Sequence, residues 1–105
     1  MDDVREQLER EAARVTDRLR AMALDRLQRP DGEGQALEQR VHAAAQTLAD
    51  LAADAAGRER RPLPVLATHG VADQLAVTAA DVLAEADEPR RREALDVLVA
   101  LRRTL

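Results

Sequence analysis

Apolar residues recur every three or four positions along almost the whole chain, and the runs break only where Pro and Gly gather. This period sets one stripe of a helix toward a core and leaves the other side to water; a half-buried strand needs a period of two. The first run is Val4, Leu8, Glu11 or Ala12, Val15, Leu19, Met22 and Arg26 or Leu27, which predicts a helix from Asp3 to Arg29. Asp2 and Asp3 suit its positive N-terminal end, and Arg26 and Arg29 suit its negative C-terminal end. Pro30-Asp31-Gly32-Glu33-Gly34 stops it and turns the chain. So short a connection predicts an antiparallel hairpin with the next helix.

The second helix is predicted from Glu33 to Ala56 along Leu37, Val41, Ala44, Leu48, Leu51 and Ala55, with Gly57 as its C-terminal cap. Arg58-Glu59-Arg60-Arg61-Pro62-Leu63-Pro64 is a linker that its prolines keep extended, and Val65 and Leu66 are expected to dock it on the core. A third helix is predicted from Thr68 to Ala86 along Val71, Leu75, Ala79, Val82 and Ala86. Asp87-Glu88-Pro89 stops it and starts a fourth, which runs to Leu105 along Ala94, Leu98 and Leu101. At 105 residues the chain is one domain, 1–105. The expected fold is all-α, an up-and-down bundle of about four helices built from antiparallel helical hairpins. In that order Arg58, Arg60, Arg61, Arg102 and Arg103 share an end with Asp2, Asp3 and Glu6, while Arg26, Arg29, Asp31, Glu33, Asp87 and Glu88 share the other.

Phe, Tyr, Trp, Ile, Lys, Asn, Ser and Cys are all absent, so the core must come from Leu, Val, Met and Ala. Losing Phe, Tyr, Ile, Asn and Lys together is the mark of GC-rich coding, as in high-GC bacteria, and all 16 basic residues are Arg for the same reason rather than for phosphate recognition. A net charge of −4 argues against non-specific contact with nucleic acid or an anionic membrane. No apolar run approaches a membrane span and no apolar leader follows Met1, which reads as a cytoplasmic protein.

The chemistry that remains is sparse. Without Ser, Cys, Lys or Tyr, covalent catalysis would fall to five Thr residues, none in a tight Gly-rich turn. No phosphate-binding Gly pattern occurs, and the carboxylates of Asp31 and Glu33 would repel phosphate from the one Gly pair. Glu38 with His42, and His69 with Asp73, each offer two ligands on one helix face, but no third or fourth ligand follows in the spacing, so no metal is assigned. Glu11 sits closest to a seam among the charged residues; it is expected to tilt outward, or else to pair with Arg14 or Arg18. Arg90-Arg91-Arg92 reads as a solvated first turn of the fourth helix.

Residues 71–83, from Val71 through Val77 and Thr78 to Leu83, resemble a bacterial helix-turn-helix, which would imply a DNA-associated regulator. Ala76 stands where that motif has Gly, and the would-be reading helix offers Asp81 and Glu85, which phosphate repels. One unbroken helix is expected instead, since Val77 and Thr78 cost only about a few tenths of a kcal/mol each in a helix.

Function therefore reads as a non-enzymatic helical protein that binds another helical surface, as a homodimer or with a different helical protein. No catalytic residue, cofactor, small-molecule ligand, nucleic acid or membrane is assigned; a DNA-associated regulator or a small metal-binding protein is the alternative. The expected interface is Val4, Leu8, Val15 and Leu19. A first helix of roughly 40 Å would overhang neighbours of roughly 24–28 Å and leave that seam for a partner, with Glu6, Glu9, Arg10, Arg14, Asp17 and Arg18 setting its register.

Overall fold

The computed structural model describes residues 3–105 and shows an all-α bundle. Helix α1 spans Val4–Arg20, α2 Leu24–Gln28, α3 Leu37–Ala56, α4 Val71–Glu85 and α5 Glu88–Arg102. Asp3 caps α1 by accepting from the Glu6 amide at 2.8 Å; Asp2, the other residue assigned to that end, lies outside the described residues. Asp87 caps α5 in the same way through the Arg90 amide, with Pro89 in the first turn as expected. Gly57 closes α3 at φ +70°, so that the Arg58 amide reaches back to the Ala53 carbonyl at 2.8 Å.

The long first helix is not observed. The chain bends at residues 21–23, without Gly or Pro, and α2 folds onto α3 and onto a single 3-10 turn at Thr68–Gly70. Burial explains the bend. An α1 of about 26 Å already matches α4 and α5 at about 22 Å. A straight continuation would carry Leu27 past its neighbours into water, whereas the bend leaves it 3 % exposed. The second helix likewise starts at Leu37 rather than Glu33. The Asp31 carboxylate accepts from the Glu33 and Gln35 amides, and Gly34 at φ +83° holds the turn.

Chain direction differs from the simple alternating order in one place. Contacts between α3 and α4 rise together along both helices: Glu38 with Thr68, His42 with Gln74, Arg58 with Glu85. The two helices therefore run the same way, and residues 58–67 form a return crossover along α3. The end of α1 meets the start of α4 through Arg20 and Asp73, and Leu105 comes back to Arg18 and Arg26. The order is up-down-down-up. Helix α4 packs on α3 and α1, and α5 packs on α1 and α3. The predicted hairpin between the first two long helices is replaced by a diagonal pair across the core. The predicted grouping of charges changes too: Arg102 and Arg103 lie at the end that holds Arg26, not the end that holds Arg58.

The core is the set of predicted seams. Leu8, Val15, Val41, Leu48, Leu75, Val82 and Leu98 are sealed from solvent. Ala45, Ala52, Ala79 and Ala94 are buried between them, which lets helix backbones approach in the absence of aromatics. Buried Thr16 and Thr78 satisfy their hydroxyls on carbonyls one turn back. Glu11 does not tilt outward: it is 5 % exposed and takes an ion pair from Arg102 of α5, with Arg14 at 3.4 Å. Packing of α5 against α1 brings in a cation that local spacing along α1 could not reveal.

Two stability tests follow. Gly57→Ala places a side chain in a left-handed backbone and is expected to cost about 1 kcal/mol in urea unfolding. Arg102→Met leaves Glu11 buried with Arg14 alone and is expected to cost about 1–3 kcal/mol. Adding Glu11→Leu to Arg102→Met is expected to recover most of that loss, and a double-mutant cycle reads the coupling.

Candidate interaction surface

A crossover that returns along α3 must be fastened, and three side chains do this. The Gln46 amide nitrogen donates to the Arg61 carbonyl at 3.0 Å, while its oxygen accepts from the Leu63 amide at 2.7 Å. Gln74 of α4 donates to the Pro64 carbonyl at 2.9 Å, and its oxygen accepts from His42 Nδ1 at 3.2 Å. Arg60 lays its guanidinium on Asp54, with bonds of 2.9 and 2.7 Å. Pro62 and Pro64 keep the path extended, and only Leu63 packs against the core.

The expected docking of Val65 and Leu66 on the core does not occur. Val65 is 87 % exposed and Leu66 45 %. An extended path cannot turn every side chain inward: Leu63 packs against the core, while Val65 and Leu66 stay at the surface. Leu66 rests over Gly70, where an added Cβ would meet it at 3.4 Å. Along α4 the outward stripe is Asp73, Val77 and Asp81, one turn apart, and Val77 is 61 % exposed.

Leu66 divides two clefts. The first, of about 370 Å³, lies among α3, the crossover and the start of α4, with Glu38, His42, Val65, Val71 and Gln74 in its walls. The second, of about 350 Å³, lies along α4 and is lined by Ala49, Leu63, Gln74, Val77 and Asp81. In the first, Glu38 accepts from the Thr68 hydroxyl at 2.5 Å, and Thr68 in turn accepts from Gln28 of α2 at 3.0 Å. The surface is thus apolar in the middle and carries carboxylates at its rim.

The residues singled out from sequence fall as follows. Val4, Leu8, Val15 and Leu19 are at most 5 % exposed, within the chain's own buried interior. A dimer through them would require α1 to leave that interior, because the overhanging seam ended with the bend at residues 21–23. Glu38 and His42 do share one cleft, with His42 held by Gln74. His69 stands on the 3-10 turn, while Asp73 pairs with Arg20 at 2.8 Å. Among the described residues no group of three or more His, Cys, Asp or Glu is placed to hold a metal ion. Residues 71–83 lie within α4 without a break at Ala76–Thr78, so the turn of a helix-turn-helix is not formed. Arg90 pairs with Asp87, and Arg91 donates to the Leu83 carbonyl. No described helix is long and apolar enough to cross a membrane.

No family profile, curated protein or solved structure matches the chain.

The Arg60 side chain, hydrogen-bonded to Asp54, holds the Asp54 carboxyl below the ordinary aspartate value of 3.8. A depressed folded value means that the bridge contributes fully above the unfolded value and is lost as pH falls through the folded one. The crossover is therefore expected to loosen below pH 3.8, seen as a smaller protection of the Leu63 amide relative to its intrinsic exchange rate at the same pH. Asp54→Asn is expected to abolish that acid-dependent part while leaving the rest of the acid transition.

Proposed function

We propose that this chain is a non-enzymatic protein-binding module, docking a helical partner on the face formed by the crossover and α4. The observation that carries this reading is the convergence of exposed apolar side chains. Among the described residues the exposed large hydrophobics are Leu24, Val65, Leu66 and Val77, and the last three meet on this face. Elsewhere among the described residues Leu and Val are buried or half-buried apart from Leu24, so exposure here is set against the rest of the sequence. A contiguous apolar patch with a polar rim is the usual surface for a partner, and grooves beside a helix take amphipathic helices through residues spaced three and four apart.

The partner is either a second copy or a different helical protein; in both cases the docking face moves from α1 to α4. Catalysis gains no support from the same region. Its polar groups are two Gln, one His, two Thr and carboxylates; the Thr78 hydroxyl is bonded to carbonyls of its own helix, and Thr68, which donates to Glu38, is also held by Gln28 of α2 on the 3-10 turn.

The test places a photo-crosslinking residue at position 77 in the native host, with position 92 as a control on α5. A discrete product from position 77, absent from position 92 and lost when Leu66→Asp is added, is the expected result. Mass identifies it as a dimer or a complex with another protein. No product from position 77, or one indifferent to Leu66→Asp, would sink the proposal.

A further inference from the structure

The chain has 16 Arg residues and no Lys, yet no Arg lines either cleft beside Leu66. Three carboxylates do: Glu38 in the first, Asp73 and Asp81 in the second. Asp73 is tied to Arg20, while among the described residues Glu38 accepts from the neutral Thr68 hydroxyl and forms no ion pair. Arg58 and Arg61 share a neighbouring hollow with Asp81, but Arg58 is engaged by Glu85, and Arg60 by Asp54. At Glu38 and Asp81 the apolar face is thus bordered by carboxylates that enter no ion pair among the described residues. Over Arg61–Pro64 the crossover backbone offers little to an added strand as well. Pro62 and Pro64 have no amide hydrogen, the Leu63 amide is held by Gln46, and the Arg61 and Pro64 carbonyls accept from Gln46 and Gln74. Along that stretch an occupant binds through side chains.

Resting on the docking reading above, we infer that the occupant is a basic amphipathic helix. Its apolar side chains sit on Leu66 and Val77, and its Arg or Lys side chains reach Glu38 in one cleft and Asp81 in the other. The outward stripe from Asp73 to Asp81 is about 12 Å long at 1.5 Å per residue, which matches two to three turns of such a helix. Opposite charge at the rim sets orientation and rate of encounter, and the apolar centre holds the complex.

The probe is a set of three synthetic 18-residue helical peptides. All have the same Leu stripe at three- and four-residue spacing; the flanking positions are Arg, Gln or Glu. Binding to the full chain is read by fluorescence anisotropy at low salt. The Arg peptide is expected to bind at least tenfold more tightly than the Gln peptide, and the Glu peptide not at all. Asp81→Asn and Glu38→Gln are each expected to weaken the Arg peptide three- to tenfold and leave the Gln peptide unchanged. Glu9→Gln, which changes net charge equally on α1, is expected to do nothing. Leu66→Asp is expected to abolish binding of the Arg peptide although it adds negative charge, which separates seated binding from general attraction. Circular dichroism confirms that each variant is folded; Asp81 is fully outward, so its variant carries the test if Glu38→Gln unfolds. Equal binding of all three peptides overturns the basic-partner inference and leaves the docking face standing. Failure of every peptide, or Arg-peptide binding indifferent to Leu66→Asp and Asp81→Asn, overturns it too. The crosslink at position 77 then decides the docking reading by itself.

Discussion

Two helices that run the same way cannot be joined by a short turn, and most of this molecule's individuality follows from that constraint. Helix α3 is about 30 Å long. The chain must travel that distance back before α4 can begin, and the ten residues 58–67 reach about 33–36 Å when extended. There is almost no slack, which is why the segment is straight, proline-bearing and fastened by side chains rather than by a ladder of its own. A taut segment on a helical surface can turn only some of its side chains inward. Leu63 goes in; Val65 stays out. The exposed apolar face is thus a geometric product of the crossover, sustained because Gln46 and Gln74 supply the hydrogen bonds that a helix would otherwise give.

The bundle beneath works with a restricted alphabet. Leu and Val fill volume, and Ala sets how closely the helices approach. Fully burying each large side chain contributes roughly 1.5–3 kcal/mol, and with no aromatic ring the count of such positions has to be high. That leaves little apolar material to spare for the surface. It also explains why Glu11 is tolerated inside: Arg102 supplies the compensating charge, and part of its side chain stays in contact with water, so the desolvation cost falls mainly on one partner.

The fold was largely legible from residue spacing, because burial on one side of a helix leaves a direct trace. Leu8, Val15, Leu48, Leu75 and Leu98 were each placed on a seam and are each buried. Caps at Gly57 and Asp87 were legible too, since φ > 0 and a free amide demand particular residues. The bend after Arg20 was not. Ala21, Met22 and Ala23 favour a helix, and only the lengths of the neighbouring helices make a turn cheaper than continuing. Nor was the direction of α4 readable: two prolines say that a linker is extended, not where it leads. The same gap hid the candidate surface. Val65 and Leu66 look like anchors by hydrophobicity, but whether a side chain finds room depends on the path of the chain beneath it. Val77 left a fainter signal, an apolar residue one turn from Asp73 and from Asp81 on the polar stripe of its helix.

The crossover also decides how the molecule would come apart. Between Gly57 and Ala67 a single apolar side chain is seated, and everything else that holds the segment is polar. A protease could therefore cut there while the core stayed closed. The two pieces, 1–57 and 68–105, would not drift apart, because α4 lies against both α1 and α3, and α5 lies against the same two helices. Each piece on its own would show a wide apolar face with nothing to cover it. The continuous covalent chain thus matters less to the assembled state than to its formation: it brings the second pair of helices into a slot that the first pair cannot keep open alone.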